Sequence, residues 1–528
     1  MKFITEIKLI NFKKYQYFSV AFDPELNLLI GDNEAGKSTI LTAIELVLGG
    51  SKGKVENIGL ENLFNTSVVQ SFLEGDKKIE NLPVLIAELH LNEQDNLSLY
   101  GRNNIDGIQS NGLQLICEPS EDLSHEISQV LAQPRANFPF EYYSVRFSTF
   151  AGEAYTGYRR FVKYLMLDSS QINNEYATKE YIKTVYESRV DQTQRIGLQN
   201  DYRQQKCQFK EERLQPINDA IENYQFSIRT DSKSNLETDL TITEDNIPLH
   251  NKGKGRQCFI KTEFALERGT PNQELDVLLL EEPENHLSHT NMKKLVNRIS
   301  ESEAKQIFIA THNSLISTRL DLRKTLFMSS TSPDPLLLRD LPEDTAKFFT
   351  KAPDNNILEF VMSPKIILVE GDAEYMLIEQ LYKNVTSSTP DKDDVHIISV
   401  GGTSFKRYLD ISKLLNIRTA VIRDNDGDKQ TNCIDAFTDY TGDNMAVFCD
   451  DDDANWTFEI CMLGVNTDIC NELFSKKLRK KPNKDEMTTI PEYMLNNKAE
   501  VAYELLDKKS DELVAPEYIA RAFAWINE

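Results

Sequence analysis

The residues best suited to chemistry begin in the stretch Ile366–Glu374, IILVEGDAE. An apolar run enters a carboxylate, a glycine and two further acids. It reads as a short buried strand stopped by Gly371 and Asp372. Glu374 follows Glu370 by four residues, so a helix starting at the strand's end sets both carboxylates on one face. A second unit of this kind is Thr419–Arg423, followed by Asp424, Asp426 and Asp428 in DNDGD. Alternate residues of an extended segment point the same way, which turns Asp424 and Asp426 toward one site. Farther on, Asn455–Ile460 (NWTFEI) offers the Thr457 hydroxyl and the Glu459 carboxylate two residues apart, and Lys498 opens a helical run near the C-terminus. Acids gathered at strand ends form a hard-oxygen site for Mg²⁺ or Mn²⁺. Two such ions about 3.5–4 Å apart support phosphodiester hydrolysis, one activating water and the other stabilising the leaving oxygen.

A different chemistry stands near the N-terminus. The apolar segment Leu26–Ile30 feeds GDNEAGKS, residues 31–38, and a helical run Thr39–Leu48 follows. This is GxxxxGKS in the strand–loop–helix context that a phosphate-binding loop requires. The cradling set is Gly31, Asn33, Gly36, Lys37, Ser38 and Thr39. Loop N–H groups hold phosphates, Lys37 reaches the β/γ oxygens, and Ser38 holds Mg²⁺. Val277–Glu282 (VLLLEE) is a hydrophobic strand ending in two acids. It reads as a Walker B element, with Glu281 in the Mg²⁺ shell and Glu282 orienting or activating the attacking water. Gln306–Ala310 is a further strand, ending at Thr311, His312 and Asn313.

The elements that must position these groups divide the chain. Residues 1–345 hold the nucleotide motifs, and 51–150 alternate short strands with polar loops. Residues 155–230 are rich in Tyr, Gln, Glu, Lys and Arg at helical spacing, which fits either a helical hairpin serving dimerisation or a solvated helical layer. Short strands are expected at Phe226–Arg229 and Leu240–Thr243. Prolines among polar residues make 346–362 linker-like, and 363–528 is the acid-bearing domain. The 475–485 segment is the most basic and is either a solvated loop or a phosphate-backbone contact.

Composition narrows the class. Charged residues make up 27% and hydrophobic residues 40%, ordinary for a soluble globular protein. No apolar run reaches the ~18 residues needed to span a bilayer, and the N-terminus lacks the apolar core of a signal peptide. Seven cysteines without a CxxC pair fit reduced thiols and a cytoplasmic setting. The net charge of −24, taken alone, argues against a nucleic-acid binder, although local patches and metal-neutralised acids decide binding more than the total does.

The Glu-Gly-x-x-Glu after one strand and Asp-x-Asp after a later one resemble the Toprim domain. The order of phosphate-binding loop, Gly253–Gln257 (GKGRQ), Walker B and a strand ending in histidine resembles the ABC-type ATPase heads of the SMC, Rad50 and RecF group. That resemblance makes His312 the switch histidine at the γ-phosphate. It makes Gly253 and Gly255 part of a signature that caps ATP bound by the opposite subunit. The chain departs from the group in lacking the signature serine and in having Glu281 where aspartate is usual. An ABC-type head followed by Toprim is similar to the OLD (overcoming lysogenization defect) nuclease family. The fold this implies is a multidomain α/β protein: an ATPase head with a helical dimerisation insert, then a C-terminal Toprim domain.

Carried over by motif, Glu370 is the central acid. Glu374, Asp424 and Asp426 bind metals, Thr457 and Glu459 match the family's Ser-x-Glu element, and Lys498 stabilises charge on the scissile phosphate. The expectation is a DNA endonuclease using ATP and Mg²⁺ or Mn²⁺, acting as a homodimer or higher even oligomer without a membrane role. The family also suggests antiphage defence, alone or beside a helicase-like or retron partner. Two alternatives stay open: an ATP-dependent DNA sensor or scaffold that needs a partner to cut, and an RNA-directed nuclease.

Overall fold

The computed structural model describes the chain except residues 1, 32, 134–135, 158–160, 172–174, 222–223, 230–233, 267–274, 302–304, 314–315, 317–318, 331, 333, 353–355, 403 and 480–486. Of the basic 475–485 stretch, residues 480–485 therefore lie outside the described set. The chain divides into two compact units, Met1–Ile316 with Lys324–Pro335, and Ser317–Arg323 with Leu336–Glu528.

The first unit is built on two sheets. One is antiparallel, ordered β2-β1-β4-β6-β5, with β7 also on β6. Its strands are β1 (Ile4–Phe12), β2 (Tyr15–Ala21), β4 (Leu85–Leu91), β5 (Tyr100–Gly101), β6 (Ser110–Pro119) and β7 (Tyr143–Thr149). The other carries β13 (Thr325–Met328), β3 (Leu26–Gly31), β12 (Gln306–Thr311), β11 (Val277–Glu281) and β8 (Tyr164–Asp168) in that order, every neighbouring pair parallel. Strands covered on both faces read as continuous apolar runs. Accordingly Leu28, Leu29 and Ile30 of β3, and Val277 to Leu280 of β11, are fully buried. This order places β12 between the strand that feeds the phosphate loop and the strand that carries the Walker B acids, with their C-terminal ends at one edge.

The 155–230 segment differs from its expected all-helical character. It begins with β8, which joins the parallel sheet beside β11 and only then yields helices Glu175–Arg189 and Gln192–Phe209. The sequence YLMLD of β8 is an apolar strand ending in an acid, a signal masked by the polar residues that follow. Phe226–Arg229 is irregular. Near Leu240–Thr243 there is only the two-residue hairpin β9 (Thr243–Glu244) and β10 (Ile247–Pro248). Such short runs lack the partner strands that would have stabilised them.

The longer segment of the second unit begins with the two-residue strand β14 (Leu336–Leu337). The stretch 346–362, expected as a linker, is largely helical, through Glu343–Lys351 and Ile357–Met362. Phe349 and Phe360 are fully buried and both pack against Tyr408, the first edge-on and the second tilted. Their apolar spacing outweighs the proline signal that suggested a linker. The main sheet is parallel and ordered β16-β15-β17-β18, from β15 (Lys365–Val369), β16 (Val395–Ser399), β17 (Arg418–Ile422) and β18 (Met445–Phe448). The chain runs from β15 outward to β16, then crosses back to β17 on the other side. The carboxyl ends of β15 and β17 therefore flank a topological switch point, the usual ligand crevice of an open α/β sheet. The C-terminal helix Glu517–Asn527 closes the core with Ala522, Phe523 and Ile526 fully buried. No described helix is long and apolar enough to cross a membrane.

Candidate functional site

In the first unit, the loop after β3 enters helix Lys37–Gly49 through Gly36, whose φ of 98° is left-handed. A Cβ there would stand 2.5 Å from the Tyr15 hydroxyl, so only glycine fits. Lys37 is buried and its Nζ donates to the Gly31 carbonyl at 2.7 Å, holding the ammonium within the loop. Asn33 and Ser38 are exposed and Thr39 is buried. The Ser38 hydroxyl hydrogen-bonds Glu281, so the hydroxyl expected to hold Mg²⁺ and the acid expected to open the Walker B pair are adjacent. Burial raises the Glu281 carboxyl above its ordinary range. The Ser38 bond offsets this in part, and Asp168 and Glu282 push in the same direction as burial.

Glu282 has a φ of 45°, and its N–H donates to the Ala310 carbonyl at 2.8 Å. A left-handed non-glycine residue costs about 1–3 kcal/mol and persists where its surroundings over-determine it. Here the strain aims the carboxylate. Its Oε1 lies 3.2 Å from His312 Nδ1, and its Oε2 accepts from Asn285 Nδ2 at 2.8 Å. The structure thus brings Glu281, Glu282 and His312 to one edge with Ser38. Gly253 is exposed and immediately precedes helix Lys254–Leu266. Gly255 lies against the Walker B loop: a Cβ there would meet the His286 carbonyl oxygen at 2.1 Å. Lys252 and Arg256 both pair with Glu244, whose carboxyl is held down to about 2, chiefly by the Arg256 hydrogen bond.

Three residues of this region escaped the sequence reading. Lys14 Nζ donates to the Ala35 carbonyl at 2.7 Å and the Ser329 carbonyl at 3.1 Å, bracing the phosphate loop. Burial pushes the Lys13 ammonium down, against the pull of Glu281. Asp168 stands opposite Glu281 across the β8–β11 register. The Lys-Lys pair in the β1–β2 turn was the available signal for the first two.

In the second unit, Glu370 directly follows β15 and accepts a hydrogen bond from the Asp424 backbone N–H, which follows β17 at the switch point. Helix Asp372–Thr386 starts two residues after Glu370, and Glu374 is buried in its first turn, where the helix N-terminus favours a carboxylate. Asp424 Oδ1 accepts the Phe458 N–H at 2.7 Å, tying β17 to helix Phe458–Val465. Thr457 caps that helix by accepting from the Ile460 N–H, which fixes Glu459 in its first turn. Glu459 is 3% exposed and meets Lys498 Nζ at 2.9 Å, from the start of helix Lys498–Lys509.

The three buried acids, Glu374, Asp424 and Glu459, and the half-buried Glu370 act on one another. Burial, then Glu374, Glu370 and Glu459, push the Asp424 carboxyl up to about 8. Burial raises Glu374, with Glu459 and Glu370 adding to it. Burial likewise raises Glu370, opposed by Arg423 and reinforced by Asp426. Burial alone would lower the Lys498 ammonium, but Glu459, Asp424 and Glu374 outweigh it and the group is raised.

Asp426 corrects the alternation argument. The extended strand ends at Ile422 and Asp426 has a φ of 52°, so it does not repeat the direction of Asp424. Its exposed carboxylate pairs with Arg423 Nη2 at 3.1 Å, although its charge still bears on Glu370. Asp428 closes its own turn, accepting from the N–H and hydroxyl of Thr431. Arg423, the last residue before the acid run, went unremarked in the sequence.

Whether a divalent ion suits these residues can be tested on their unmet bonds. Among the described residues, no three His, Cys, Asp or Glu side chains close on a common point at metal-ligand distance. Yet Glu370 Oε2 and Glu459 Oε1 are buried without a hydrogen-bond partner. Orphaned carboxylate oxygens are costly in a low-dielectric site, and hard oxygens are what Mg²⁺ and Mn²⁺ take. The donor set therefore fits such an ion at Glu370, Glu374, Asp424 and Glu459, with Asp426 and Thr457 at its margin.

Known proteins resemble both units. The model of the AAA ATPase domain matches residues 1–316, and that of the overcoming lysogenization defect protein-like TOPRIM domain matches 362–426. The DNA replication and repair protein RecF of Alkaliphilus oremlandii is 30% identical over 87 residues, 16% of this chain and 21% of that protein. The structural maintenance of chromosomes protein 5 of Schizosaccharomyces pombe is 52% identical over 46 residues, 9% of this chain and 4% of that protein. These matched stretches thus span about a fifth or less of the relatives' own length. Among solved structures, an SmcHead bound to the C-winged helix domain of ScpA covers 62% of this chain and 94% of its own, at 15% identity and a TM-score of 0.34. The C-terminal region of the Xanthomonas campestris pv. campestris OLD protein covers 31% and 95%, at 21% identity and a TM-score of 0.25. On the match over residues 1–316, the chain belongs to the AAA ATPase domain family, and it carries an OLD-like TOPRIM domain after that ATPase.

Proposed function

We propose that the protein is an ATP-binding, divalent-metal-dependent DNA endonuclease whose cleavage site is the acid cluster of the second unit. The observation that carries this reading is the convergence of Glu370, Glu374, Asp424 and Glu459 at the β15/β17 switch point with Lys498 beside them. The pairing of an ATPase with an OLD-like TOPRIM domain supports a nuclease-type activity.

Bound Mg²⁺ or Mn²⁺ would supply Lewis-acid activation of water and charge neutralisation there. The chain's own residues do the positioning. Thr457 locks the helix turn that presents Glu459. The Phe458 N–H holds one Asp424 oxygen, leaving the other for a ligand. Lys498, balanced by Glu459, is the cation placed to offset charge on a scissile phosphate. Arg423 restrains Asp426 and tempers Glu370. In the ATPase unit, Lys37 and the loop N–H groups take the phosphates, while Ser38 and Glu281 would hold Mg²⁺. Glu282, aligned by Asn285 and His312, orients the attacking water. We place this activity in antiphage defence and in a homodimer formed through the helical arm. The arm supports the latter by exposing Ile196, Leu198, Phe209 and Ile217.

Plasmid cleavage with Mg²⁺ or Mn²⁺, with and without ATP, tests the reading beside Asp424→Ala and Lys37→Ala. Metal-dependent cutting that disappears in Asp424→Ala supports it, and undiminished cutting by that variant refutes it. A second reading, an ATP-controlled DNA sensor or scaffold, draws on the net charge of −24 and on the lack of a ready three-ligand cluster among the described residues. It expects no cutting by the isolated protein and ATP-dependent DNA retention instead.

A further inference from the structure

Glu284 is a buried acid of the ATPase unit with no part in the mechanism above. It lies in the loop after β11 and is 6% exposed. The Thr311 hydroxyl, at the end of β12, donates to its Oε1, and its Oε2 is buried without a hydrogen-bond partner. Burial raises its carboxyl above the ordinary range, while the Thr311 bond and the charge of His312 oppose the rise. Such a carboxylate is a poor device for holding a loop. An oxygen left unpaired away from water costs free energy that an apolar side chain of similar length does not. The loop has other ties as well. Backbone bonds close it from Asn285 to Glu282 at 3.0 Å and from Leu287 to Glu284 at 2.9 Å, and the Cys258 thiol donates to the Pro283 carbonyl at 3.3 Å.

The distinctive contact of Glu284 is with Thr311. A hydroxyl has one proton and two lone pairs. With the proton committed to Glu284, the Thr311 oxygen is left to accept, and it takes the Asn313 N–H at 2.9 Å. These two bonds close the 311–313 turn around His312. The imidazole itself is exposed, and its Nδ1 lies 3.2 Å from Glu282 Oε1. Glu282 is in turn fixed to the residue before Thr311, through its N–H on the Ala310 carbonyl. Both partners of the Glu282–His312 contact are therefore referenced to the last two residues of β12. Glu282 is held there by backbone, and His312 by the Thr311 hydroxyl that Glu284 orients.

We propose that Glu284 is a positioning residue for ATP hydrolysis: through Thr311 it holds the His312 turn in register with Glu282, and it costs the fold stability rather than adding to it. This rests on the reading of Glu282 as the residue that orients the attacking water.

ATP hydrolysis by the full chain is compared for wild type, Thr311→Val, Thr311→Ser, Glu284→Met, His312→Ala and Glu282→Gln. Binding of a non-hydrolysable ATP analogue and the thermal midpoint of the first unit are measured on each. Thr311→Val and Glu284→Met should each lower kcat roughly ten- to a hundredfold, with analogue affinity within about twofold of wild type. Thr311→Ser, which keeps the hydroxyl, should keep most of the rate. The midpoint of Glu284→Met should equal or exceed that of wild type. Because Thr311 acts through His312, Thr311→Val combined with His312→Ala should be no slower than His312→Ala alone. Additive losses in that pair overturn the inference, as does an unchanged kcat in Thr311→Val. A Glu284→Met midpoint below wild type marks a structural acid and overturns it too. If Glu282→Gln hydrolyses as fast as wild type, the water-orienting reading fails, while a non-additive His312 pair keeps the positioning role. A wild type that hydrolyses no ATP removes both.

Discussion

Asp424 concentrates the electrostatic problem of the second unit in one carboxyl. Burial and three neighbouring acids push it up to about 8. A group whose folded value lies above its unfolded one stabilises the fold fully at low pH, and that stability is lost as pH rises through the folded value. With chelator present, the second unit should therefore lose stability progressively between about pH 4 and 8. Asp424→Asn should flatten that slope, as read from denaturant midpoints across the range. Divalent ions need the deprotonated carboxylate, so their affinity for the wild type should rise over the same interval, measurable by calorimetric titration. At the other site, Glu282→Gln keeps the shape held by Asn285 and removes the charge. Steady-state ATP hydrolysis should fall roughly 10²–10⁴-fold while nucleotide binding persists. Glu370 and Glu282 stand directly after apolar strands and Asp424 has only Arg423 between it and its own, which is the pattern that singled these three out in the sequence. Asp426 was misjudged because alternation holds only while the backbone stays extended, and here it turns left-handed. Arg423 was passed over because one basic residue before an acid run carries no pattern of its own.

At the scale of elements, the parallel strands were readable as unbroken apolar runs: β3, β11, β12, β15 and β17 stand where hydrophobicity placed them. The failures were of context. Strand β8 sits at the head of a polar helical segment, so the average character of 155–230 concealed it. The 346–362 stretch shows the converse, where two buried phenylalanines turn a proline-flanked segment into packed helix. The arm's exposed side chains lead to a direct experiment. Ile196 and Phe209 lie on helix Gln192–Phe209 with more than half their surface exposed, at 60% and 53%. Ile196→Asp combined with Phe209→Asp should leave monomer stability within about 1 kcal/mol, because exposed sites away from the core tolerate change. It should also convert the protein from dimer to monomer in sedimentation velocity. A wild type that sediments as a monomer would rule out the arm as the interface.

For the whole molecule, two compact units with separate cores imply two unfolding transitions in calorimetry. ATP with Mg²⁺ should raise the transition of the first unit, by about 2.7 kcal/mol at a hundredfold excess over Kd, and Lys37→Ala should abolish the rise. The second transition should respond to Mg²⁺ or Mn²⁺ without nucleotide and lose that response in Asp424→Ala. Nucleotide that moved both transitions equally would show that the units unfold as one. The division itself was visible in the sequence only approximately: it falls at Pro335, ahead of the 346–362 stretch expected as a linker, and Ser317–Arg323 groups with the second unit.

The contact between Gly255 and the His286 carbonyl has a mechanical consequence. Where a Cβ would stand only 2.1 Å from that oxygen, a single hydrogen atom is the whole clearance between helix Lys254–Leu266 and the loop descending from Glu282. Neither part can be pressed toward the other without transmitting the push. A load on the exposed Gly253 end of the helix would therefore reach the loop that follows Glu282 rather than be absorbed between them.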